Sequence, residues 1–392
     1  MIHSDKPELT VESVTYRKWK SVDVSSFNHD IAASDLSTKQ TNDLEDLVAC
    51  YDTTLKVVLE KLAPSKTKII VKRPRVPCFN EQLRKAKRER RKAERKWRLS
   101  KLQSDFSIFK MKRTACLFGQ HSDDGLPPNL DCKSFVSDMG KYFEQKITNI
   151  RSQLDNNELS SVPDDPQIAS PVTESNVPQF SEFTPLSESD ANVLISRSSL
   201  KTCHLDPVPS KLVAQCDALL SVITRIMNLS LQFGCFPFSW KEALVHPLLK
   251  KIGLEATFMN FRPVSNLPFI SKLAERAVFE QTHIHMVDND LYPSAQPSYR
   301  RNHSTETSLL KVKNDLLMNR NEQHVSLLVL LDKSTAFDTV DHRILLERLS
   351  SKFGFTGGAS SWCRSYLFQR SQRIAIRGTV SEKFDVPHGV PQ

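Results

Sequence analysis

From Asn42 onward the apolar positions fall into a helical period. Leu44, Leu47, Val48, Tyr51, Leu55, Val58, Leu59 and Leu62 share one face, and Pro64 ends the run. Lys66 to Pro77 reads as extended. The stretch from about Asn80 to Phe118 carries charge on every face and has few apolar anchors before Trp97, Leu99 and Leu102, which predicts one long, solvent-facing helix. A second amphipathic helix is predicted over Ser134–Leu154, with Phe135, Met139, Tyr142, Phe143, Ile147 and Ile150 at helical spacing as core positions. Residues 1–40 show no clear period. Between Asp155 and Glu188 the chain is rich in Ser, Pro, Asp and Asn, the composition of a linker.

Beyond the linker, helical and extended patterns alternate. "LDPVPSKLVAQCDALLSVITRIMNLSLQFGCFP" predicts a helix with Asp206 as N-cap, Pro207 at its first position and its close near Gly234. Ala243–Lys250 reads as a short strand, and Ser271–Val287 and Ser304–Met318 as helices. Leu327 to Leu331 are five apolar residues in a row, the pattern of a fully buried strand. That strand is expected to deliver Asp332 at its mouth. An amphipathic helix should follow, with Asp338 and Asp341 inside it, bonding locally or facing solvent. Gln372–Val386 has the period of a hairpin. The sum is an α+β chain without internal repeats.

Charge sharpens this picture. The net charge is +9, and Glu81–Lys101 alone, with eleven Lys or Arg against three Glu, carries +8 of it. Arg84, Lys85, Lys87, Arg88, Arg90, Arg91, Lys92 and Arg95 are the candidates for contact with a nucleic-acid backbone. A solvated helix that binds nothing is the plainer alternative, and "RKAKRERRK" also suits a nuclear-import signal. The eight Cys form no Cys-x-x-Cys pair, which argues against zinc or a disulfide framework. No apolar signal core opens the chain and no run reaches membrane-spanning length. The expected place is therefore inside the cell, nucleus or cytoplasm, not secreted.

Asp332 is the candidate for chemistry. A carboxylate there either N-caps the following helix or holds a metal. Two-metal phosphoryl transfer needs carboxylates on rigid elements, and the Lys333 backbone carbonyl supplies a further oxygen for a hard cation such as Mg²⁺.

Four stretches in order widen the reading: "FRPVSNLPFISKLAERAV" (261–278), "QPSYRRNHSTETSLLK" (296–311), "LLDKSTAFDTVDHRILLERL" (330–349) and "HGVPQ" (388–392). Together they resemble the reverse transcriptase domain of non-LTR, LINE-type (jockey-like) retrotransposons. Upstream, "CHLDPVPSKLV" and the stretch to Lys251 resemble the lead into that domain. The resemblance implies three parts: a helical, basic N-terminal region (1–154), a linker (155–188), and fingers with a partial palm of a right-hand polymerase (189–392, core motifs 243–392). It implies RNA-templated DNA synthesis with Mg²⁺ on an RNA template, a DNA primer and dNTPs. Asp332 then matches the first catalytic, metal-binding aspartate. Phe337 matches the aromatic gate beneath the incoming sugar. Lys250, Arg262 and Arg300 match positions near template or triphosphate. Gly389 through Gln392 match the start of the loop under the nascent base pair. The sequence departs from the family at Lys333, where an apolar residue is usual, and at Pro297, where a small one is common. The family's Tyr-x-Asp-Asp motif lies beyond Gln392. The expectation is that the 392-residue chain does not polymerise DNA by itself, and a non-catalytic nucleic-acid-binding remnant is the alternative.

Overall fold

The computed structural model describes residues 10–38, 41–72, 81–118, 126, 130–158, 177–251, 254–331 and 335–391. The chain opens on strand β1 (Thr10–Tyr16), then helices α1 (Val24–Ala32), α2 (Asp35–Thr38) and α3 (Leu44–Leu62), then β2 (Lys66–Lys72). β1 and β2 pair antiparallel from Thr10↔Lys72 to Tyr16↔Lys66. The periodic face of α3 is buried from Leu44 to Leu59, and Asp43 caps the helix by accepting from the Glu45 and Asp46 N–H groups.

α4 (Glu81–Ser100) and α5 (Gln103–Phe118) replace the single long helix expected there. Lys101 adopts a left-handed conformation (φ 56°), and the chain turns back. Trp97 stacks on Phe109 at 5.6 Å and leans on Phe106 at 4.9 Å. The Asp105 carboxylate accepts from Ser100 Oγ (2.6 Å) and pairs with Lys96 (2.9 Å), tying the turn. Aromatic contact and this local ion pair outweigh the continuity that helix propensity alone favours.

α6 (Cys132–Glu158) leads to α7 (Glu188–Arg197), α8 (Ser210–Val213) and α9 (Ala218–Phe233). Strands β3 (Glu242–Leu249) and β4 (Phe261–Asn266) precede α10 (Phe269–Asp288), α11 (Thr305–Asn321), α12 (His342–Phe353) and α13 (Gly357–Leu367). Strands β5 (Arg370–Ile376), β6 (Thr379–Val380) and β7 (Phe384–Val386) complete the order. One core joins Phe27, Ile31 and the α3 face to Leu194, Ile223, Ile226, Leu273 and Trp362. Residues from both sides of 155–188 thus bury each other. Asn28 of α1 accepts from Ala218 N (2.9 Å), satisfying the first N–H of α9, which its own Asp217 does not cap. Gly234 closes α9 in the left-handed conformation, as its pattern predicts.

The second sheet runs β4–β3–β5–β6, with β7 also against β5. β3 and β4 are antiparallel, β3 and β5 parallel, and β5 forms the expected hairpin with β6. α6 covers one face: Val136, Met139 and Phe143 pack on Val245, Phe261, Ile374 and Ile376. Gly140 permits the approach, since a Cβ there would lie 2.1 Å from the Phe384 ring.

Three further expectations need correction. Asp206 does not cap the helix that follows it. Its carboxylate accepts from Phe269 N (2.6 Å), the first residue of α10, and from Cys203 N (2.8 Å). Pro268, the N-cap of α10, has no side-chain oxygen, so a distant carboxylate fills the role. Residues 327–331 form no strand: Leu327 is 89% and Leu331 87% exposed. A strand buried on both faces needs a ladder partner and a packed layer, and none of the described strands lies beside this run. Asp338 and Asp341 precede α12 rather than lying inside it. Asp341 is its N-cap, accepting from Ile344 N (3.0 Å) and pairing with Arg151 of α6 (2.7 Å).

Candidate functional site

Two loops meet at the end of the sheet. Val390 N donates to Phe337 O (2.9 Å) and Gly389 N to Val340 O (2.8 Å). The buried His342 Nε2–H donates to Gly389 O (2.7 Å). Gly389 sits at φ +82°, and a Cβ there would fall 2.7 Å from the Asp338 backbone oxygen. Glycine is needed both for the dihedral and for the close approach. Of the predicted site residues, Phe337 and Gly389 are thereby brought together, with Phe337 38% exposed at the surface.

Beneath these loops lies a cavity of about 60 Å³. Its lining includes Phe143 and Lys146 from α6, Ser265 from β4, Asp338, His388 and Gly389. Burial pushes the Asp338 carboxyl above the usual carboxylate range, and Lys146 partly opposes this. Burial and the neighbouring Lys250 charge push the Lys146 ammonium down, with Asp338 as the counterweight. The two side chains are electrostatic partners without a direct ion pair. Sequence reasoning assigned Lys146 to no site. Its only signal was its place between Phe143 and Ile147, beside the apolar face of α6.

The remaining predicted residues are dispersed. Lys250 follows the last residue of β3, and its Nζ donates to Met259 O (2.8 Å). Arg262 is exposed on β4, opposite Leu248. Arg300 lies over the Tyr292 ring at 5.2 Å, on the connection between α10 and α11. Asp332, Lys333 and Gln392 fall outside the described residues. On α4, Lys85, Arg88, Arg91, Lys92 and Arg95 are exposed along one face and form no ion pair among the described residues. Arg90 turns toward Glu94 (3.5 Å), Lys87 is half-buried, and the Arg84 side chain lies outside the described part.

Residues 250–392 match the family described as reverse transcriptase (RNA-dependent DNA polymerase). This segment belongs to the reverse transcriptase family, of the non-LTR type. The chain is 29% identical over 177 residues to the RNA-directed DNA polymerase from mobile element jockey of Drosophila melanogaster, covering 45% of this chain and 19% of that protein. It is 28% identical over 170 residues to the probable RNA-directed DNA polymerase from transposon X-element of the same organism, covering 43% of this chain and 18% of that protein. The polymerase from transposon BS matches at 27% over 170 residues. The matched stretch is under a fifth of the length of these relatives.

The reverse transcriptase segment thus contains β4, the paired loops and the β5–β7 edge. Divalent metal dependence goes with the family. Among the described residues no group of three or more His, Cys, Asp or Glu is placed to hold a metal. The predicted ligands, Asp332 and the Lys333 carbonyl, lie outside the described residues. Among the described residues, too, no helix is long and apolar enough to cross a membrane.

Proposed function

We propose that this chain carries the fingers and the first part of the palm of an RNA-directed DNA polymerase from a non-LTR mobile element. Its substrates in that reading are an RNA template, a DNA primer and dNTPs. The observation that carries it is the match of residues 250–392 to the reverse transcriptase family. The family's motifs also fall at chemically apt places. Phe337 and Gly389 lie in loops bonded to each other, and Arg262 is exposed on an edge strand.

In this reading Asp332 binds Mg²⁺, with the Lys333 carbonyl as a further oxygen, and Phe337 rejects a 2′-hydroxyl. Arg262, Arg300 and Lys250 approach template or triphosphate, where cations offset charge as pyrophosphate leaves. Gly389 and Gln392 support the nascent pair.

A second reading rests on α4. Its exposed cationic face supports sequence-independent binding of nucleic acid without chemistry, and the address suited to it is the nucleus or cytoplasm.

The deciding experiment is anisotropy of a labelled RNA–DNA template–primer with the wild-type chain and with Arg262→Gln/Arg300→Gln. The polymerase reading expects binding that weakens roughly tenfold or more in the double variant, because two charge-assisted hydrogen bonds are removed. No binding by the wild type, or equal binding by both, would overturn it.

A further inference from the structure

A second cavity, of about 210 Å³, opens between α3, the loop before α8 and the start of α10. One water needs only ~10–15 Å³, so the space is far larger than a single water requires. It shares no lining residue with the cavity beneath the paired loops. Its charged walls are all acidic: Asp52 of α3, Asp206 of the loop and Glu242 at the start of β3. Leu205, Val213, Trp240, Phe269 and Ile270 line it with apolar surface, and none of its lining residues is Lys, Arg or His.

The three acids are satisfied to different degrees. Glu242 pairs with Arg373 (3.1 Å) and Lys383 (4.0 Å). Asp206 takes one backbone N–H on each oxygen, from Phe269 and Cys203, and keeps a lone pair on each. Asp52 makes no hydrogen bond or ion pair among the described residues; Lys56, one turn on, attracts it without pairing. Beside Asp52 stands Tyr51, which also lines the cavity and is only 2% exposed. A buried tyrosine hydroxyl usually finds a partner, yet this one makes no hydrogen bond among the described residues. Burial, chiefly, and the Asp52 and Asp206 charges push it far up, so it stays neutral. Burial also raises the Asp52 and Asp206 carboxyls, a cost that a bound cation relieves. These acids are not grouped to hold a metal ion. Set among apolar walls, they suit a cation whose charge is carried on a hydrocarbon.

We propose that this cavity binds an aliphatic amine in its ammonium form, a free diamine or polyamine. Asp52 and Asp206 accept from the ammonium, the Tyr51 hydroxyl oxygen is a third acceptor, and the hydrocarbon lies against Val213, Phe269 and Ile270. An ammonium has three donors, which these three acceptors match. The site does not depend on the polymerase reading.

The test uses the full chain with putrescine, and with butanediol as its uncharged counterpart. Calorimetric titrations are made on the wild type, Asp52→Asn, Tyr51→Phe and the exposed control Asp288→Asn. Putrescine should bind the wild type and the control alike, and Asp52→Asn roughly tenfold more weakly, as when one charge-assisted hydrogen bond is lost. Tyr51→Phe should weaken binding about threefold to tenfold while keeping the wild-type thermal midpoint, because the deleted hydroxyl has no partner in the protein. Butanediol should not bind. In the wild type, carbodiimide coupling of labelled putrescine should mark Asp52 or Asp206, and excess spermidine should suppress it there but not at Asp288.

The inference is overturned if putrescine does not bind the wild type, if butanediol binds as well, or if either Asp52→Asn or Tyr51→Phe binds putrescine as the wild type does. Coupling that spermidine fails to suppress at both Asp52 and Asp206 also overturns it. Because the coupling is done on wild-type protein, misfolding of a variant does not decide the matter. Equal suppression by Mg²⁺ would make this a general cation site and overturn the amine.

Discussion

Gly389 and Asp341 each tie two elements through a single residue. Gly389→Ala places a Cβ against the Asp338 backbone at a dihedral that L residues rarely adopt. A loss of about 1–3 kcal/mol is expected, read as a lower urea midpoint. Asp341→Ala removes the α12 N-cap and the Arg151 pair, with an expected loss of roughly 1–2 kcal/mol for the cap. The hydrogen bond from Ile344 N, chiefly, and the Arg151 charge hold the Asp341 carboxyl below its ordinary value of 3.8. A lowered folded pKa means that the folded state releases its proton more readily than the unfolded one. The wild-type advantage over Asp341→Ala should therefore be full above pH 3.8 and vanish as pH falls through the depressed value. Denaturation midpoints of both proteins across that range check this. A gap that stays constant down to about pH 2 would contradict the sign.

At the scale of elements, legibility followed locality. The faces of α3 and α6 were readable because a 3.6-residue period is written in consecutive residues, whereas the single helix expected from Asp206 to Gly234 is divided into α8 and α9. The α4–α5 turn was not readable, because it depends on Trp97 meeting Phe106 and Phe109 across the hairpin, while polar Lys101 gives no breaker signal. Leu327–Leu331 fails for the opposite reason: its apolar content predicts burial, although burial needs a partner that the run itself does not name. The trans-acting cap from Asp206 to α10 is likewise non-local. Within the candidate site, the motifs marked Phe337 and Gly389, but nothing local marked Lys146 as their neighbour. For α4, the exposed face makes its own prediction. Replacing Arg88, Arg91, Lys92 and Arg95 by Gln should flatten the log–log dependence of duplex affinity on salt by about 0.9 for each phosphate that is no longer neutralised. An unchanged slope would remove α4 from the interface.

Over the whole molecule, α6 fastens the N-terminal region to the reverse transcriptase segment. Ser137 donates to Glu382 (2.6 Å), Arg151 pairs with Asp341 (2.7 Å), and the Phe384 ring fits over Gly140. α1 and α3 share a core with α7, α9 and α10. Cleavage at a protease site engineered near residue 168 should then leave two pieces that co-elute on gel filtration. Their separation under native conditions would contradict the shared core. Both the basic face of α4 and the segment with the paired loops are candidates for contact with nucleic acid, so binding does not by itself tell which surface handles a primer terminus.

The most direct test is a photo-crosslink from the primer's 3′ end. A template–primer with a photoreactive base at that position is irradiated with the full chain, and the modified peptide is sequenced. If residues 250–392 receive the primer as a reverse transcriptase segment does, the crosslink falls in 326–341 or 386–392. A crosslink confined to 81–100, with none in those loops, would contradict the polymerase reading and leave a basic nucleic-acid-binding helix in its place.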